Sequence, residues 1–478
     1  MARTMSAARL RTLLGSSLDR SPAYLALADG VRMLISDGRI VAGTRLPSER
    51  ELTSALGLSR TTVTRAYAVL RERGYVVSRQ GSGSVVHLPA QQGGSRDPLL
   101  SPDDVPDGTI DLTCAASSAP PGVAAAYERA VGQLPSFLTG AGYFPSGVPA
   151  LKEAIARRYT ERGLATSPDQ VVVTCGALAA AAVVVRALTS VGDRVLVESP
   201  SYPNALGTIT RSGARVVGAG VDPSGWDPGT WVSTVRSVRP AAAYLVPDFQ
   251  NPTGRLMPED QRDRLATALE RGRTVPVVDE TLVEMALDPV EMPRPFAAFA
   301  ADTVTVGSAS KAFWGGLRIG WIRAPHDRVG ALVRSRLTLD LGAPLLEQLV
   351  LCELMSGHEA VLEHHREQLR ASRAALTDAL AKRLPDWHFL VPSGGLALWC
   401  ELPSPHSSAL STTAERHGLL LPAGPSFAPE GGLERFVRIP YTQRPEVLVE
   451  AVDRLATAWE QAREHRGTTT GRRSPLVA

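Results

Sequence analysis

The sequence lacks three features that would each place it in a distinct class of protein. It has no run of about 18 uninterrupted apolar residues, since even the most apolar segment, residues 171–188, contains Thr174, Gly176 and Arg186, so a membrane helix is not expected. The mildly basic N-terminus is not followed by an apolar core with a small-residue cleavage site, and we expect a frayed leader there, not a signal peptide. No segment repeats at a fixed period, which excludes solenoids.

Cysteine is also scarce. The four cysteines, Cys114, Cys175, Cys352 and Cys400, show neither a CxxC pair nor metal-ligand spacing. This scatter argues against a disulfide framework and against a zinc site, and it favours a reducing compartment. The expected location is therefore the cytoplasm, and no metal is expected.

Charge is present but unevenly distributed. The first 90 residues hold 13 Arg, no Lys and six acidic residues, a net charge of about +7, whereas the remainder holds 38 basic and 42 acidic residues, a net charge of about −4. A surplus of this kind predicts that the N-terminal part meets a polyanion, the alternative being a solvated basic face.

The chain divides into two compact parts. Residues 88–108 are rich in Pro, Gly, Ser, Gln and Asp without hydrophobic periodicity, which predicts a linker. We expect a DNA-binding domain at residues 1–87 and a larger domain at residues 109–466. The tail, residues 467–478, has the composition of the linker and is expected to be disordered.

The N-terminal part has the signals of two short helices joined by a tight turn. Before these two helices, the helical spacing of apolar residues over residues 23–36 predicts another helix. Ser48 is positioned to cap the first short helix, with Glu49 and Glu51 in its first turn, and Ser59 is positioned to cap the second. This spacing predicts a helix-turn-helix, whose second helix places its N-terminal side chains in the DNA major groove.

The side chains expected to contact DNA lie on these helices and on a following hairpin. Arginine bonds guanine bidentately, and threonine reaches a phosphate or a thymine methyl group. A Gly-Ser-Gly tip in the hairpin, residues 75–87, predicts a wing that approaches the backbone or the minor groove. The predicted DNA contacts are Arg50, Ser59, Arg60, Thr61, Thr62 and Arg65 on the helices, and Arg79, Gly81, Ser82 and Gly83 on the wing.

Residues 43–86 resemble the winged helix-turn-helix of the GntR family almost throughout. The resemblance implies that the partner is double-stranded promoter DNA. Residue by residue, the alternative is an ordinary surface helix with caps.

The larger part alternates apolar, β-branched runs with helical segments. Continuous apolar strands separated by helices predict a mostly parallel sheet covered on both faces, an α/β fold. The predicted strands are residues 171–174, 194–198, 242–247, 275–280 and 303–308. Residues 346–384 predict a long or broken helix that leads into a smaller terminal α+β subdomain.

The most informative segment is residues 308–321, SASKAFWGGLRIGW. Lys311 stands on a loop of small residues and is suited to form a Schiff base with an aldehyde cofactor. Arg318, seven residues on, and the neighbouring serines Ser308 and Ser310 are suited to hold a phosphate dianion. A lysine in such a loop is by itself usually solvated, but together with GLRIGW the pattern indicates pyridoxal 5′-phosphate.

Residues 110–460 resemble the fold-type-I aminotransferases, and the whole chain resembles the MocR subfamily of GntR-type regulators. The resemblance implies that Tyr202 stacks on the pyridine ring, that Asn251 donates to the phenolate oxygen and that Asp279, also a catalytic residue with Lys311, pairs with the pyridinium nitrogen. On its own, a strand-end Asp is as often a helix cap.

The same resemblance implies further phosphate and substrate contacts. Cys175, Gly176 and Ala177 join a strand to a helix N-terminus that binds the phosphate. Tyr143 reaches the phosphate of a partner subunit, which implies a homodimer. Arg438 binds an amino acid α-carboxylate, with Arg435 as its rival.

One position departs from the family pattern. Aminotransferases of this kind place a tyrosine two or three residues after the Asp as a second donor to the phenolate oxygen, but here the position is Leu282. Losing that donor favours the protonated Schiff base. We therefore hypothesise that the cofactor binds while turnover is slow or absent.

Two weaker patterns have simpler explanations. The group His358, Glu363, His364 and His365 lies on a predicted helix, where we expect solvated side chains and no metal site. Asp279 and Glu280 are adjacent on a strand, so their side chains are expected to point to opposite faces.

Three functions remain open at this stage. The first is a cofactor-dependent transcriptional regulator that senses an amino-acid-like ligand or pyridoxal 5′-phosphate itself. The second is an active aminotransferase with an appended DNA-binding module. The third is a DNA-binding protein whose second domain is only a dimerisation scaffold, which Lys311 argues against because a scaffold needs no Schiff base.

Overall fold

The computed structural model describes residues 4–15, 22–36, 39–40, 43–79, 83–87, 108–221 and 225–464. The chain separates into two compact units, the first comprising Met1–Leu99 and Ala119–Arg129 and the second comprising Leu100–Ser118 and Ala130–Ala478. The predicted linker, apart from residue 108, and the predicted tail lie outside the described residues.

The first unit has the predicted helix-turn-helix and wing. Its elements are α1 (Ala7–Leu14), α2 (Ala23–Ser36), α3 (Glu49–Leu56), α4 (Arg60–Glu72), β1 (Val76–Arg79) and β2 (Gly83–Val86). The strands pair antiparallel, with Val76 opposite Val86. The Ser48 hydroxyl accepts from the Glu51 amide, and the Glu51 carboxylate accepts from the Ser48 amide at 2.8 Å, which completes a capping box. Gly57, at φ 67°, ends α3 in the left-handed conformation.

Helix α1 corrects the prediction of a frayed leader. Leu10 and Leu14, one turn apart, are 0% and 2% exposed and pack in the same cluster as Leu27 and Val31 of α2. Ser6 caps the helix by accepting from the Arg9 amide. The segment is basic and alanine-rich, so its composition did not indicate a buried helix. It is nevertheless amphipathic, with a short apolar stripe that packs against the core of the first unit.

The Ser48 cap supports a stability prediction. Replacing Ser48 by alanine leaves the Glu51 amide without its acceptor, and we expect α3 to lose about 1 kcal/mol of local stability. Native-state hydrogen exchange of the α3 and α4 amides in the full chain measures this change. Ser54→Ala is the matched control, since Ser54 is exposed inside α3 and alanine is the better helix former there. Equal protection in both variants contradicts the prediction.

The second unit is built on a seven-stranded sheet. After β3 (Ile110–Asp111), α5 (Val123–Gln133, whose residues up to Arg129 belong to the first unit) and α6 (Pro149–Glu161), the strands are β4 (Val171–Thr174), β5 (Arg194–Ser199), β6 (Arg215–Gly220), β7 (Ala242–Leu245), β8 (Val275–Asp279), β9 (Val304–Ser308) and β10 (Gly320–Arg323). Their order is β4-β10-β9-β8-β7-β5-β6. As predicted, the sheet is mostly parallel, and of its seven described strands β10 alone runs antiparallel to two neighbours.

Helices cover both faces of this sheet. They are α7 (Ala177–Leu188), α8 (Pro203–Arg211), α9 (Pro228–Val238), α10 (Glu259–Arg271) and α11 (His326–Leu337). One apolar cluster joins the sheet to α7, α8 and α11, with Val184 and Leu332 among its members. A second cluster joins it to α9 and α10 through Trp231 and Leu265. The fold is therefore the predicted three-layer α/β arrangement.

The remaining chain forms a smaller α+β subdomain. The predicted helical stretch is broken at Gly357 into α12 (Leu345–Ser356) and α13 (His358–Arg383). The elements that follow are β11 (His388–Phe389), β12 (Ala397–Glu401), α14 (Ser407–Arg416), β13 (Leu419–Leu420), β14 (Phe436–Pro440) and α15 (Pro445–Glu464). Strands β11, β12 and β14 form an antiparallel sheet, and β13 pairs with β3. Within the described ranges no helix is long and apolar enough to cross a bilayer.

Candidate cofactor site and DNA-binding surface

A cavity of about 260 Å³ lies at the carboxyl ends of the parallel strands of the second unit. Ligands of open α/β sheets bind at this edge, because the strand-to-helix loops converge there. Eight of the predicted site residues line the cavity: Ala177, Tyr202, Asn251, Asp279, Ser308, Ser310, Lys311 and Arg318. Residues far apart in sequence are thus brought together around one space.

Lys311 follows β9 in a turn and is half-buried in the cavity wall. Its Nζ donates to the carbonyl oxygen of Ala115 at 2.8 Å. Burial lowers the pKa of Lys311, because the ammonium form loses its hydration. A larger fraction of the amine is therefore neutral and able to attack a carbonyl carbon.

A phosphate-sized cradle lies where β4 turns into α7. Gly176 begins the helix at φ 91°, and a Cβ there would lie 2.7 Å from Nη2 of Arg318. Arg318 is exposed to the cavity and forms no ion pair with any residue of the described ranges. A helix N-terminus beside an uncommitted guanidinium is suited to a dianion, so the residues present fit the phosphate of the predicted cofactor.

Cys175, Ser308 and Ser310 lie next to this phosphate-sized cradle in the sequence. Burial raises the pKa of the Cys175 thiol, which keeps it protonated and unreactive. The Ser308 hydroxyl accepts from the Ser310 amide at 3.1 Å, which fixes the turn that leads into Lys311. Cys175 and Gly176 precede the cavity-lining Ala177 in the chain and do not themselves line the cavity.

Asp279 ends β8 with both carboxylate oxygens engaged. Oδ2 accepts from the Tyr244 hydroxyl at 2.5 Å, and Oδ1 accepts from the Thr281 amide at 2.8 Å. Tyr244 lies on the neighbouring strand β7, where it pairs with Val277 of β8. Val277 is two residues before Asp279, so the side chains of Tyr244 and Asp279 lie on the same face of the sheet. Sequence reasoning missed Tyr244. The signal available was a tyrosine within an otherwise aliphatic strand next to the Asp279 strand.

Arg438 is fully buried and contacts the predicted phenolate donor. Its Nη1 donates to Oδ1 of Asn251 at 3.3 Å, and its Nη2 donates to the carbonyl oxygen of Thr113 at 2.5 Å. Because Asn251 accepts with its oxygen, its Nδ2 is left to donate. Burial lowers the pKa of Arg438 to about 10, so it stays charged at neutral pH. Its rival Arg435 is exposed and donates to the Pro403 carbonyl.

A buried carboxyl group behind the cavity orders the Asn251 loop. Glu198 accepts from Gln250 Nε2 at 3.0 Å and from Trp226 Nε1 at 2.7 Å. Gln250 in turn accepts from the Thr253 amide at 3.0 Å. Burial raises the pKa of Glu198 to about 7. Sequence reasoning missed this support, because its partners lie in connecting segments that are far from Glu198 in the sequence.

Tyr143 and Leu282 occupy contrasting positions. Tyr143 is 66% exposed and does not line the cavity, so its predicted role in a partner subunit stays a prediction. Leu282 lines the cavity and is 7% exposed, which places an apolar side chain where the family pattern has a hydroxyl. Tyr202 lines the same cavity, and its hydroxyl accepts from Asn204 at 2.9 Å.

Two predictions about charged neighbours have different outcomes. Glu280 accepts from Arg162 at 2.8 Å, whereas Asp279 accepts from Tyr244, so the two adjacent carboxylates have separate partners, as side chains on opposite faces would. The prediction of solvated histidines is wrong for His365, which is 3% exposed with Nδ1 at 3.3 Å from the Ala312 carbonyl. His365 shares the buried stripe of α13 with Leu362 and Leu369, at helical spacing.

The first helical turn of α4 presents the predicted DNA contacts. Arg60 and Thr61 are exposed, and the hydroxyls of Thr61 and Thr62 each lie 2.8 Å from the hydroxyl of the Ser59 cap. The Arg65 guanidinium lies 4.0 Å from the centroid of the Tyr24 ring. Arg60, exposed in the first turn of α4, is thus the side chain best placed to enter a groove.

The other predicted contacts lie on α3 and the wing. Arg50 is exposed on α3. Gly83 begins β2 at φ 75°, close to the Arg45 side chain. Gly81 and Ser82, and the side chain of Arg79, lie outside the described residues.

Comparison with known proteins matches both units. Residues 116–455 match the model of aminotransferase class I and II, and residues 23–86 match that of the bacterial regulatory proteins of the gntR family. The HTH-type transcriptional regulator YdcR of Escherichia coli is 28% identical over 463 residues, which cover 90% of this chain and 98% of that protein. The HTH-type pyridoxine biosynthesis transcriptional regulator PdxR of Corynebacterium glutamicum is 28% identical, with 82% and 85% covered.

A solved structure resembles the second unit. The crystal structure of LysN, an alpha-aminoadipate aminotransferase of Thermus thermophilus in complex with N-(5′-phosphopyridoxyl)-L-leucine, superposes with a TM-score of 0.69 at 26% identity. The match covers 78% of this chain and 98% of that one. The fold-type-I architecture predicted above is therefore confirmed.

Proposed function

Because the chain belongs to the aminotransferase class I and II family and carries a GntR-type DNA-binding domain, as MocR-type regulators do, we propose that its second domain holds pyridoxal 5′-phosphate and senses a small molecule. The molecule sensed is an amino-acid-like ligand or the cofactor itself. The DNA-binding domain reads promoter half-sites, and the protein acts in the cytoplasm as a homodimer. An exposed Tyr143, at a position expected to serve a second subunit, supports the dimer.

The observation that carries this proposal is the arrangement of Lys311, Asp279 and Arg318 around one cavity. Arg318 and the N-terminus of α7 would hold the phosphate, Asp279 would face the ring nitrogen, and Lys311 would hold the aldehyde carbon. When bound, pyridoxal 5′-phosphate supplies an aldehyde that captures amines and a ring that withdraws electrons. Arg438 and Asn251 would orient a carboxylate and the ring oxygen.

Ligand sensing requires differential binding. A ligand changes DNA affinity only if it binds two arrangements of the protein unequally, and DNA must then change ligand affinity by the same factor. We expect promoter binding, measured by fluorescence anisotropy, to respond to pyridoxal 5′-phosphate or to an amino acid in the wild-type chain. A chain with no absorbance from bound cofactor and unaltered DNA binding would instead be a regulator with a scaffold domain.

The alternative function is an active aminotransferase with an appended DNA-binding module. Lys311, Asp279, Asn251 and Arg438 are all in place, which favours this alternative. Rapid conversion of the bound cofactor by an amino donor, at about 1 per second or faster, without sequence-specific DNA binding would establish it.

Leu282 gives a direct test of the slow-turnover proposal. Leu282→Tyr would add a hydroxyl donor to the cavity that Lys311 lines, where it would hydrogen-bond the ring oxygen of a bound cofactor and favour loss of the proton from the lysine-bound form. We expect the pKa seen in the visible absorbance of the lysine-bound cofactor to fall by about one unit, the equivalent of one hydrogen bond. Leu282→Phe, which adds the ring without the hydroxyl, is the control. Identical pH titrations of the Leu282→Tyr and Leu282→Phe variants would contradict the proposed effect of the missing hydroxyl.

A further inference from the structure

A second cavity in the aminotransferase-like unit has a different chemistry. It is a broad groove of about 950 Å³ between α9 and α10, and none of its lining residues lines the cavity around Lys311. Five of its lining residues are arginines and one is acidic, Asp263. The arginines are Arg236, Arg239, Arg264, Arg271 and Arg273.

Helical spacing explains why these side chains share one groove. Arg264, Thr267, Ala268 and Arg271 follow the i, i+3, i+4, i+7 pattern, and on α9 Gly229, Val232, Ser233 and Arg236 do the same. The C-terminal ends of the two helices touch, since a Cβ at Gly272 would overlap the Val235 side chain. The groove thus has two facing stripes that both end in arginine.

The five guanidinium groups are uncommitted. All are exposed, and none forms an ion pair or hydrogen bond with another side chain of the described ranges. Arg262, on the same helix α10, behaves in the opposite way, because it is fully buried and bonds Asp248 at 2.6 Å. The groove therefore concentrates positive charge on a part of the chain whose net charge is negative.

Backbone conformation adds an independent observation. Arg239 and Arg273 follow the ends of α9 and α10 at φ 49° and φ 52°, in the left-handed region where glycine is favoured. A non-glycine residue there costs roughly 1 kcal/mol. Favourable interaction with helix C-termini accounts for arginines in a last turn, as at Arg236 and Arg271. This interaction does not explain Arg264, which lies in the middle of α10. It also does not explain why arginine occupies the two strained positions, Arg239 and Arg273.

We propose that this groove, defined by the five arginines, binds the phosphate backbone of duplex DNA as a second DNA contact. The proposal rests on the proposed function, in which the same chain already binds DNA through α4. Arg264 and Arg271 are separated by seven residues, about 10 Å along the helix axis, which is too far for one phosphate group and suits a row of them. Guanidinium groups bond phosphate oxygens bidentately without reading sequence.

The salt dependence of binding tests the proposal. Each lost phosphate contact should lower the slope of log K against log salt by about 0.9. With the full-length chain and a random-sequence 60-bp duplex, we expect Arg236→Ala/Arg264→Ala/Arg271→Ala to lower the slope by about 2.7 in magnitude. The lysine triple variant at the same positions should restore most of the slope, because lysine also neutralises phosphate.

The matched control removes three arginines elsewhere in the same unit. Arg211, Arg334 and Arg416 are exposed on α8, α11 and α14 and do not line the groove. Their alanine triple variant should keep the wild-type slope. Equal slopes for the wild type and the groove triple, or equal losses in both triples, would overturn the proposal. A wild-type chain that binds no DNA would refute the proposed function itself, which is a separate outcome.

Discussion

Replacing Lys311 by alanine is expected to abolish covalent retention of pyridoxal 5′-phosphate. Lys311 lines the cavity, and burial lowers its pKa, whereas alanine offers no nucleophile. After borohydride reduction of the wild-type chain, peptide mass spectrometry should find the cofactor on the peptide that contains Lys311. The Lys311→Ala chain should lose all visible absorbance of the bound cofactor on dialysis.

The scarcity of lysine makes this experiment decisive. The chain has only two others, Lys152 and Lys382. Lys382→Ala is the matched control, since Lys382 is exposed in the last turn of α13 and does not line the cavity. It should keep the full label. A label on Lys152 or Lys382 in the wild-type chain would contradict the assignment.

Replacing Arg60 by alanine is expected to weaken specific DNA binding by about 1–3 kcal/mol, roughly 5- to 150-fold, and to relax the preference at one base position. Arg60 is the first residue of α4 and is exposed beside the Ser59 cap. Duplexes selected from a random pool by the wild-type chain provide the probe. Sequencing of the pool selected by the variant shows which position is relaxed.

Arg9→Ala separates base reading from loss of charge. Arg9 is exposed on α1, and its replacement removes the same positive charge without touching the helix-turn-helix. We expect a small, sequence-independent loss of affinity in this control. If Arg60→Ala selected the same sequences as the wild type with unchanged affinity, α4 would not be the reading helix.

Local signals made the helix-turn-helix predictable. The caps at Ser48 and Ser59 act within three residues, so their hydrogen bonds follow from the sequence alone. Helix α1 escaped prediction because it contributes just two buried leucines, Leu10 and Leu14, to a core otherwise built from later elements. Two apolar residues one turn apart are too few to predict a helix from the sequence, because a helix this short is stabilised mainly by packing against other elements.

The residues of the candidate cofactor site were predictable from the sequence, but the contacts that support them were not. Lys311, Asp279 and Arg318 stand in motifs with strong local patterns. Tyr244 owes its place beside Asp279 to strand register, and the choice of Arg438 over Arg435 rests on a contact with Asn251 across 187 residues. His365 was misjudged for a related reason, because the contact that buries it comes from the Ala312 turn.

By itself the sequence determined which residue types each unit offers: caps and arginines suited to DNA in the first, and a loop lysine with an arginine and serines suited to a phosphate in the second. These depend on short-range hydrogen bonds and on residue type. Only the tertiary structure decided that Tyr244 engages Asp279, that Arg438 and not Arg435 is buried beside Asn251, and that five arginines of α9 and α10 meet in one groove. Those pairings are set by which elements pack together, and packing sums many weak apolar contacts over the whole chain.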